Sequence, residues 1–198
     1  MISAIILAAG ESKRMGEPKM MLKWEETTVL EHVISIFAKA GLEDILVVTG
    51  SHRDEVDEIV SRSKKLFPVR RIFNEKFASG EMLSSIQCGL RDLMEKGVGA
   101  AMIGLGDQPQ VQEGSVRMVC DAFNKTESPL VVPSYQMRRG HPWLISRELW
   151  QDFLAIASPQ TPRDFLKKNS TKIHHVEVNN NSILLDLDTL KDYQTFHP

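Results

Sequence analysis

A short loop near the start of the chain combines residue types that bind phosphate. Gly10 and Gly16 frame the loop, which directly follows the apolar run of residues 1–7. Its cations are Lys13, Arg14 and Lys19. Glycines allow backbone N–H groups to approach a ligand closely, and cations neutralise phosphate charge. A nucleotide site at the end of a first strand is therefore one interpretation, and an ordinary polar turn of an α/β protein is the other.

Spacing excludes two familiar phosphate loops. A Walker A loop reads G-x-x-x-x-G-K-[S/T], whereas here five residues separate Gly10 from Gly16 and Pro18 precedes Lys19. No G-x-G-x-x-G follows a predicted strand, so the dinucleotide fingerprint is also missing. Any phosphate site in this loop must therefore be of another type.

Carboxylates stand at two further places that suit a cation. Asp107 follows the apolar run of residues 100–105, at the carboxyl end of a predicted parallel strand, where open α/β sheets bind ligands. Asp186 and Asp188 lie two apart in a predicted strand, which would direct both to one face. Mg²⁺ prefers such oxygens together with phosphate. A turn ended by Pro109, and a helix cap at Asp188, are the structural alternatives.

Two more segments carry polar groups with binding potential. Two arginines, a glycine and a His-Pro pair lie between apolar strands, which predicts a β-hairpin whose base meets an anion. These residues are Arg138, Arg139, Gly140, His141 and Pro142. A second segment contains Asn74, Gly80, Ser84 and Ser85, and its serines either contact a ligand or cap the following helix.

The order of predicted elements indicates an α/β fold. A Thr28-x-x-Glu31 capping box opens a helix that ends at Gly41. Further helices are predicted at 52–63, 86–94, 113–124, 147–157 and from Thr161, with strands at 44–49, 69–73, 100–105, 130–133, 173–178 and 183–188. This alternation predicts a doubly wound, mostly parallel sheet with helices on both faces, of the Rossmann-like type. We expect one domain over residues 1–198.

Three separated motifs resemble those of the MobA-like NTP transferase family, and within it the molybdenum cofactor cytidylyltransferases. The first is Leu7-Ala8-Ala9-Gly10-x-Ser12-x-Arg14-Met15-Gly16-x-Pro18-Lys19, the second is Gly106-Asp107-Gln108-Pro109, and the third is Asp186-Leu187-Asp188-Thr189. Two positions depart from the family pattern, because Glu75 and Leu190 stand where proline is usual. The resemblance implies the fold of the nucleotide-diphospho-sugar transferases.

The resemblance also implies a reaction. An NMP group would pass from an NTP to molybdopterin with release of pyrophosphate, and the NTP would be CTP because the match is to the cytidylyltransferases. It implies Mg²⁺ as cofactor, held by Asp107 and by Asp186 or Asp188, and Arg14, Lys19 and Asp107 as catalytic residues. Nucleotide-binding residues would be Leu7, Ala8, Ala9, Gly10, Ser12, Arg14, Met15, Gly16, Lys19, Asn74, Gly80, Ser84, Ser85 and Asp107. Acceptor-binding residues would be Arg139, Gly140, His141 and Pro142, with Arg163 the nearest match to a further arginine.

Several alternatives stay open on this evidence. A guanylyltransferase or a sugar-phosphate nucleotidyltransferase could use the same scaffold, and a non-catalytic protein could retain the loop to deliver the cofactor. In each case residues 1–110 would form the nucleotide-binding half and residues 111–198 the acceptor-binding half. A molybdoenzyme or chaperone is the expected protein partner.

Composition restricts the partners. The 198 residues carry a formal net charge of −2 and a pI near 6.3, so nothing global favours nucleic acid or an anionic membrane. No apolar run reaches the length of a membrane span, and the N-terminus lacks the features of a secretory signal. Cys88 and Cys120 lie in predicted helices, as expected for reduced thiols in the cytoplasm.

Overall fold

An eight-stranded sheet with a parallel centre carries the fold in the computed structural model, which describes residues 1–12 and 14–198. Lys13, one of the predicted loop cations, lies outside the described residues. The strands are β1 (Ile2–Ala8), β2 (Lys23–Trp24), β3 (Thr27–Thr28), β4 (Ile45–Thr49), β5 (Val69–Phe73), β6 (Ala100–Leu105), β7 (Leu130–Tyr135), β8 (Arg138–Arg139), β9 (Trp143–Ser146) and β10 (Ile173–Glu177). Strands β2 and β3 form a separate two-stranded ribbon.

The order of the strands creates a crevice beside β1. The sheet runs β10-β7-β9-β6-β1-β4-β5, with β8 paired to β7. Strand β1 is parallel to both β4 and β6, so the chain moves outward to β5 and then returns to the other side of β1. Strand β9 runs antiparallel between β6 and β7. The predicted mostly parallel, doubly wound sheet is confirmed, and its switch point lies between β1 and β6.

Helices cover both faces of the sheet, as predicted. They are α1 (Val29–Lys39), α2 (Arg53–Ser63), α3 (Phe77–Glu95), α4 (Glu113–Thr126), α5 (Trp150–Leu154), α6 (Pro162–Lys168) and α7 (Leu190–Phe196). Alternate residues of a strand point to opposite faces, so Ala4 and Ile6 of β1 pack with α1, α2 and α4. Ile5 and Leu7 pack with α3, α5 and α6 on the other face.

Local capping signals explain where several helices begin. Thr28 and Glu31 form the predicted capping box of α1, and Thr161 with Asp164 forms one for α6. Each box satisfies backbone N–H groups that the first helical turn leaves without partners. None of the helices in the described part of the chain is long and apolar enough to span a membrane.

Two predictions of local structure were wrong, and one structural alternative is excluded. Residues 181–184 form a 3₁₀ turn that continues as irregular extended backbone, so Asp186 and Asp188 do not lie on a strand. The predicted helix 147–157 is only the 3₁₀ turn Arg147–Leu149 followed by α5. Thr189, and not Asp188, caps the last helix, because its side chain accepts a hydrogen bond from the Asp192 N–H.

Candidate active site

A cleft of about 290 Å³ opens at the carboxyl ends of β1 and β6. Its walls come from the loop after β1, the start of α3, the loop after β6 and the segment before α7. The lining residues are Leu7, Ala9, Gly10, Lys19, Met20, Phe77, Glu81, Met82, Ser85, Leu105, Asp107, Asp186 and Asp188. The fold therefore brings residues from the three distant sequence motifs into one cleft.

The loop after β1 folds around Ser12. Its carbonyl oxygen accepts hydrogen bonds from the N–H groups of Met15 and Gly16, at 3.0 and 3.3 Å, and its hydroxyl accepts one from the Lys19 N–H at 3.3 Å. Gly16 has φ +76°, in the left-handed region that favours glycine. Gly10, by contrast, has open space where a Cβ would lie. The second glycine thus shapes the turn, and the first leaves the cleft wall open.

Two of the predicted cations, Lys19 and Arg14, are paired with predicted carboxylates that line the cleft. The Lys19 ammonium forms an ion pair with the Asp107 carboxylate and lies 3.7 Å from Asp188 Oδ1. Arg14 Nη1 donates to Asp188 Oδ2 at 2.7 Å. Lys19 and Asp107 are mostly buried, whereas the Arg14 side chain is 75% exposed. The inner pair is therefore sheltered from solvent screening, and the outer pair is not.

Asp186 is held beside Asp107 by two contacts. Gln108 Nε2 donates to Asp186 Oδ1 at 2.6 Å, and the Leu187 N–H donates to the Asp107 carbonyl at 3.0 Å. Partial desolvation in the cleft and the nearby Asp107 carboxylate raise the pKa of Asp186 above its usual value. Negative charge is thus concentrated between these two aspartates.

This donor set fits a divalent cation that is also held by a ligand. Asp107, Asp186 and Asp188 line one cleft, and crowded carboxylates are relieved by a bound cation. The described residues contain no group of three or more His, Cys, Asp or Glu side chains arranged to hold a metal by themselves. A cation here would depend on oxygens of a bound ligand, as is usual for Mg²⁺ with phosphates.

The predicted nucleobase segment is arranged around a buried asparagine. Asn74 Nδ2 donates to Ser84 Oγ at 2.8 Å and to Ser85 Oγ at 3.1 Å. Gly80 lies so close to Ser84 that an added Cβ would be 2.2 Å from the Ser84 Cβ. Of these residues, Ser85 lines the cleft, whereas Asn74 and Ser84 are buried behind it. Neither serine lies at the first residue of α3, since both are inside that helix.

Two residues predicted to bind nucleotide lie in the protein core. Ala8 belongs to the core on the α1, α2 and α4 face, and Met15 packs against Trp24, Val29 and Leu187. Met15 and Leu187 belong to the same buried cluster, which links the first loop to the segment that carries Asp186 and Asp188. Their positions indicate a packing role, since neither lines the cleft.

A second pocket of about 530 Å³ adjoins the first. Its lining includes Arg139, Gly140, His141 and Arg163, while Pro142 is buried at its edge. The remaining lining residues are Met82, Leu105, Gln108, Val132, Arg138, Trp143, Pro162, Leu166, Ile183, Leu184 and Asp186. Met82, Leu105 and Asp186 line both pockets, so the two spaces meet at these three side chains.

The predicted hairpin is present at this second pocket and is fixed in place. Strand β8 pairs antiparallel with β7, and the His141 N–H donates to the Ile183 carbonyl at 3.0 Å. A Cβ on Gly140 would lie 2.2 Å from that same carbonyl oxygen, so only glycine allows this approach. Burial and nearby Arg163 lower the pKa of His141 from 6.5 to about 4, which leaves its ring neutral near pH 7.

Comparison with known proteins identifies the family. The sequence matches the MobA-like NTP transferase domain over residues 4–176. The chain belongs to the MobA-like NTP transferase family. This MobA-like transferase is 28% identical to the molybdenum cofactor cytidylyltransferase of Escherichia coli, over 98% of its own length and 94% of that protein. It is also 28% identical to the bifunctional protein GlmU of Syntrophomonas wolfei, over 84% of its length but only 36% of GlmU.

Solved structures agree on the fold. A nucleotidyl transferase from Methanothermobacter superposes with a TM-score of 0.81 at 24% identity, over all of this chain and 96% of that one. The Rv0371c protein of Mycobacterium tuberculosis, solved in complex with manganese, superposes with a TM-score of 0.77 at 21% identity, over 99% and 97% of the two chains. At these identities the structures establish the shared fold of the MobA-like transferase.

Sequence reasoning missed several residues of the two pockets. Gln108 follows Asp107, a predicted metal ligand. The next residue, Pro109, makes an ordinary turn an equally good explanation of this motif. Glu81 lines the cleft at a break in α3, with φ 47° and ψ −147°, which a glutamate gives no reason to expect. Phe77 and Met82 resemble ordinary residues of the helix core. The only signal in the sequence is that the helical pattern is interrupted between Gly80 and Ser84, which could have indicated that the helix bends there.

Proposed function

We propose that this MobA-like transferase moves the NMP group of CTP to a phosphorylated acceptor of the molybdopterin type and releases pyrophosphate. The observation that carries the proposal is the pair of adjoining pockets that share Met82, Leu105 and Asp186. One pocket offers the Gly10 loop, Lys19 and two further aspartates, and the other offers arginines and an apolar wall. Two substrates bound side by side would meet at the shared residues.

The reaction requires positioning more than proton transfer. An acceptor phosphate oxygen attacks the α-phosphorus of the NTP, forming a new P–O bond while the bond to the pyrophosphate oxygen breaks. This nucleophile is already ionised near neutral pH, so no general base is needed. Holding both substrates in line converts the encounter into an intramolecular step, which accounts for a large part of the rate.

The residues of the first cleft would hold the triphosphate. Lys19 and Arg14 are now paired with Asp107 and Asp188, and phosphate oxygens would replace these carboxylates as their partners. Asp107, together with Asp186 or Asp188, would then hold Mg²⁺, which when bound neutralises charge on the phosphate oxygens. Gln108 keeps Asp186 turned toward this site through its 2.6 Å hydrogen bond.

The second pocket could hold a flat, partly apolar acceptor. Part of its wall is apolar, formed by Val132, Trp143, Leu166, Ile183 and Leu184, and a planar ring could pack on it. A pterin ring suits such a wall, and the E. coli relative is named for the molybdenum cofactor. That relative is also a cytidylyltransferase, which supports CTP as the donor.

The division of labour along the chain is part of the proposal. Residues 1–110 supply most of the nucleotide cleft, and residues 111–198 supply most of the acceptor pocket. Four residues are exceptions to this division, because each lines the pocket of the other half of the chain. Asp186 and Asp188 reach back into the nucleotide cleft, while Met82 and Leu105 extend into the acceptor pocket. We propose a single domain over residues 1–198 in which the two sites interleave in this way.

Pyrophosphate release provides the decisive test. The purified protein is incubated with molybdopterin, empty or loaded with molybdenum, and with CTP, GTP or ATP in the presence of Mg²⁺. We expect release with CTP to exceed that with the other two nucleotides, and addition of EDTA to stop it. Preference for GTP would indicate a guanylyltransferase instead. Tight cofactor binding without any release would indicate a delivery protein and contradict the proposal.

A further inference from the structure

One buried side chain connects the acceptor pocket to the nucleotide cleft. Gln108 is only 3% exposed, and it lines the acceptor pocket but not the cleft. Its Nε2 donates to Asp186 Oδ1 at 2.6 Å, and Asp186 lines both spaces. Among the described residues, no other side chain donates a hydrogen bond to the Asp186 carboxylate. The orientation of that carboxylate therefore depends on the Gln108 amide.

The chemistry of Asp186 fixes which way this amide faces. An ionised carboxylate can only accept hydrogen bonds, so the NH₂ group of Gln108 has to face Asp186 and the amide oxygen has to face away. That oxygen, Oε1, is buried and has no hydrogen-bond partner within residues 1–12 and 14–198. Buried polar groups in proteins are almost always paired, because an unpaired one costs stability. The bond to Asp186 is thus made at the expense of Oε1.

A buried amide without a partner does not by itself identify a functional residue. Gln110 lies two residues further along the same loop, and both polar atoms of its side chain are also buried without a partner. Gln110, however, lines neither the cleft nor the acceptor pocket. Of the described residues that carry such an atom, only Gln108 lines either of these two spaces. Its place between the pockets therefore distinguishes Gln108 from Gln110.

We propose that Gln108 is a positioning residue that couples the two pockets, so that acceptor and nucleotide strengthen each other's binding. Its Oε1 accepts a hydrogen bond from an N–H group of the acceptor, while its Nε2 holds Asp186 at the nucleotide cleft. An amide that accepts through its oxygen donates more strongly through its nitrogen, because hydrogen bonds in a chain polarise one another. The identity of both ligands rests on the proposed function.

The burial of Oε1 explains why this contact would couple the pockets. In the protein without ligand the oxygen is closed to solvent, so a donor reaches it only when the wall of the acceptor pocket adjusts around the ligand. The same adjustment acts on Asp186 through the Nε2 hydrogen bond. Coupling of this kind is reciprocal, since each ligand changes the affinity for the other by the same factor.

Calorimetric titration measures the coupling directly. The two ligands are molybdopterin and the Mg²⁺ complex of α,β-methylene-CTP, whose P–C bond prevents release of pyrophosphate. In the wild-type protein, saturating molybdopterin should lower the Kd of the analogue on the order of fivefold or more. Gln108→Met keeps the length of the side chain and removes both polar atoms, so the factor should fall below about twofold. Gln110→Met, the matched control, should keep the wild-type factor.

Three results of this titration would overturn the inference. The first is an absence of coupling in the wild-type protein, and the second is a wild-type factor in Gln108→Met. The third is an equal loss of coupling in Gln110→Met, which would show that the loop after β6 transmits the effect without any special role of Gln108. Urea unfolding of each variant checks the fold, and the midpoint of Gln108→Met should not fall, because the substitution removes an unpaired buried oxygen.

NMR of the wild-type protein tests the contact without turnover and without a phosphorylated ligand. The side-chain NH₂ signals of Gln108 are assigned through bonds and followed during titration with pterin, which carries N–H donors but no phosphate. These signals should shift, whereas those of Gln110 should not. Unshifted Gln108 signals together with normal pyrophosphate release would refute the inference and leave the proposed function standing. Shifted signals without pyrophosphate release from any nucleotide would refute the proposed function and leave the Gln108 contact standing.

Discussion

The two pockets of this protein differ in whether their positively charged side chains are paired with carboxylates. At the nucleotide cleft, Lys19, which lines it, and the neighbouring Arg14 are paired with lining aspartates. In the acceptor pocket, Arg138, Arg139 and Arg163 have no such partners among the described residues. The first pocket holds more carboxylates than cations and requires an exchange of partners when a nucleotide binds, whereas the second presents its positive charge directly to a ligand.

This difference matches what each pocket is proposed to bind. A nucleotide triphosphate arrives with a divalent cation, so the cleft needs both cations for the phosphates and carboxylates for the metal. Without ligand these groups satisfy each other, which avoids the cost of unpaired charge in a partly buried site. An acceptor that arrives without a metal needs cations only. We infer that the cleft contains ion pairs without ligand because the nucleotide complex would bring both negative phosphates and a positive metal ion.

The largest expected effect comes from breaking the inner pair of the nucleotide cleft. Lys19→Ala or Asp107→Ala should reduce pyrophosphate release on the order of 100-fold or more, because each removes a group that we propose to hold the triphosphate or its metal. Circular dichroism should show a retained fold. Lys23→Ala, an exposed lysine of β2, is the matched control. Near-normal release by either cleft variant would contradict the assignment of this cleft.

The rigidity of the acceptor pocket is tested by Gly140→Ala. The added Cβ would overlap the Ile183 carbonyl oxygen, so the backbone leading to Asp186 has to move. We expect a loss of about 1–3 kcal/mol in the free energy of unfolding, measured in urea, and weaker acceptor binding.

Gly114→Ala provides the control for that substitution. A Cβ at this position in α4 meets open space, so the change in stability should stay within about 1 kcal/mol and favour the variant. Equal effects of the two substitutions would mean that the contact of Gly140 with Ile183 does not constrain the pocket.

The neutral histidine of the acceptor pocket should make stability depend on pH. The pKa of His141 is about 4 when folded against 6.5 ordinarily, so between these values the unfolded chain binds a proton that the folded chain does not. Stability should therefore fall as the pH is lowered from 6.5 to about 4, by roughly 1–3 kcal/mol from this residue. Urea unfolding at several pH values measures the slope. His141→Gln should flatten it, and an unchanged slope in this variant would contradict the assignment to His141.

The smallest effect is expected at a departure from the family pattern. Leu190 is the first residue of α7 and is half exposed, and Thr189 before it has the extended backbone that precedes proline well. Leu190→Pro should therefore preserve activity and raise the unfolding free energy by no more than about 1 kcal/mol. A marked loss of pyrophosphate release would show that the Leu190 side chain, and not only the helix start, supports Asp188.

Much of the fold was accessible from the sequence because its signals are local. The capping box at Thr28 and Glu31 and the buried runs of β1, β4 and β6 each depend on residues close together in the chain. The segment of Asp186 and Asp188 was predicted wrongly because its alternation of leucine and aspartate imitates a strand. Its real conformation depends on distant groups, since the Leu187 N–H bonds to the Asp107 carbonyl.

By itself, the sequence determined the alternation of strands and helices, the loop after β1 and the motifs that identify the family. Only the tertiary structure decided that Lys19 pairs with Asp107, that Gln108 holds Asp186, and that two pockets join at Met82 and Leu105. The physical reason is distance along the chain. Periodicity and caps act within a few residues, whereas charge pairing and pocket walls depend on how the sheet brings remote strand ends together.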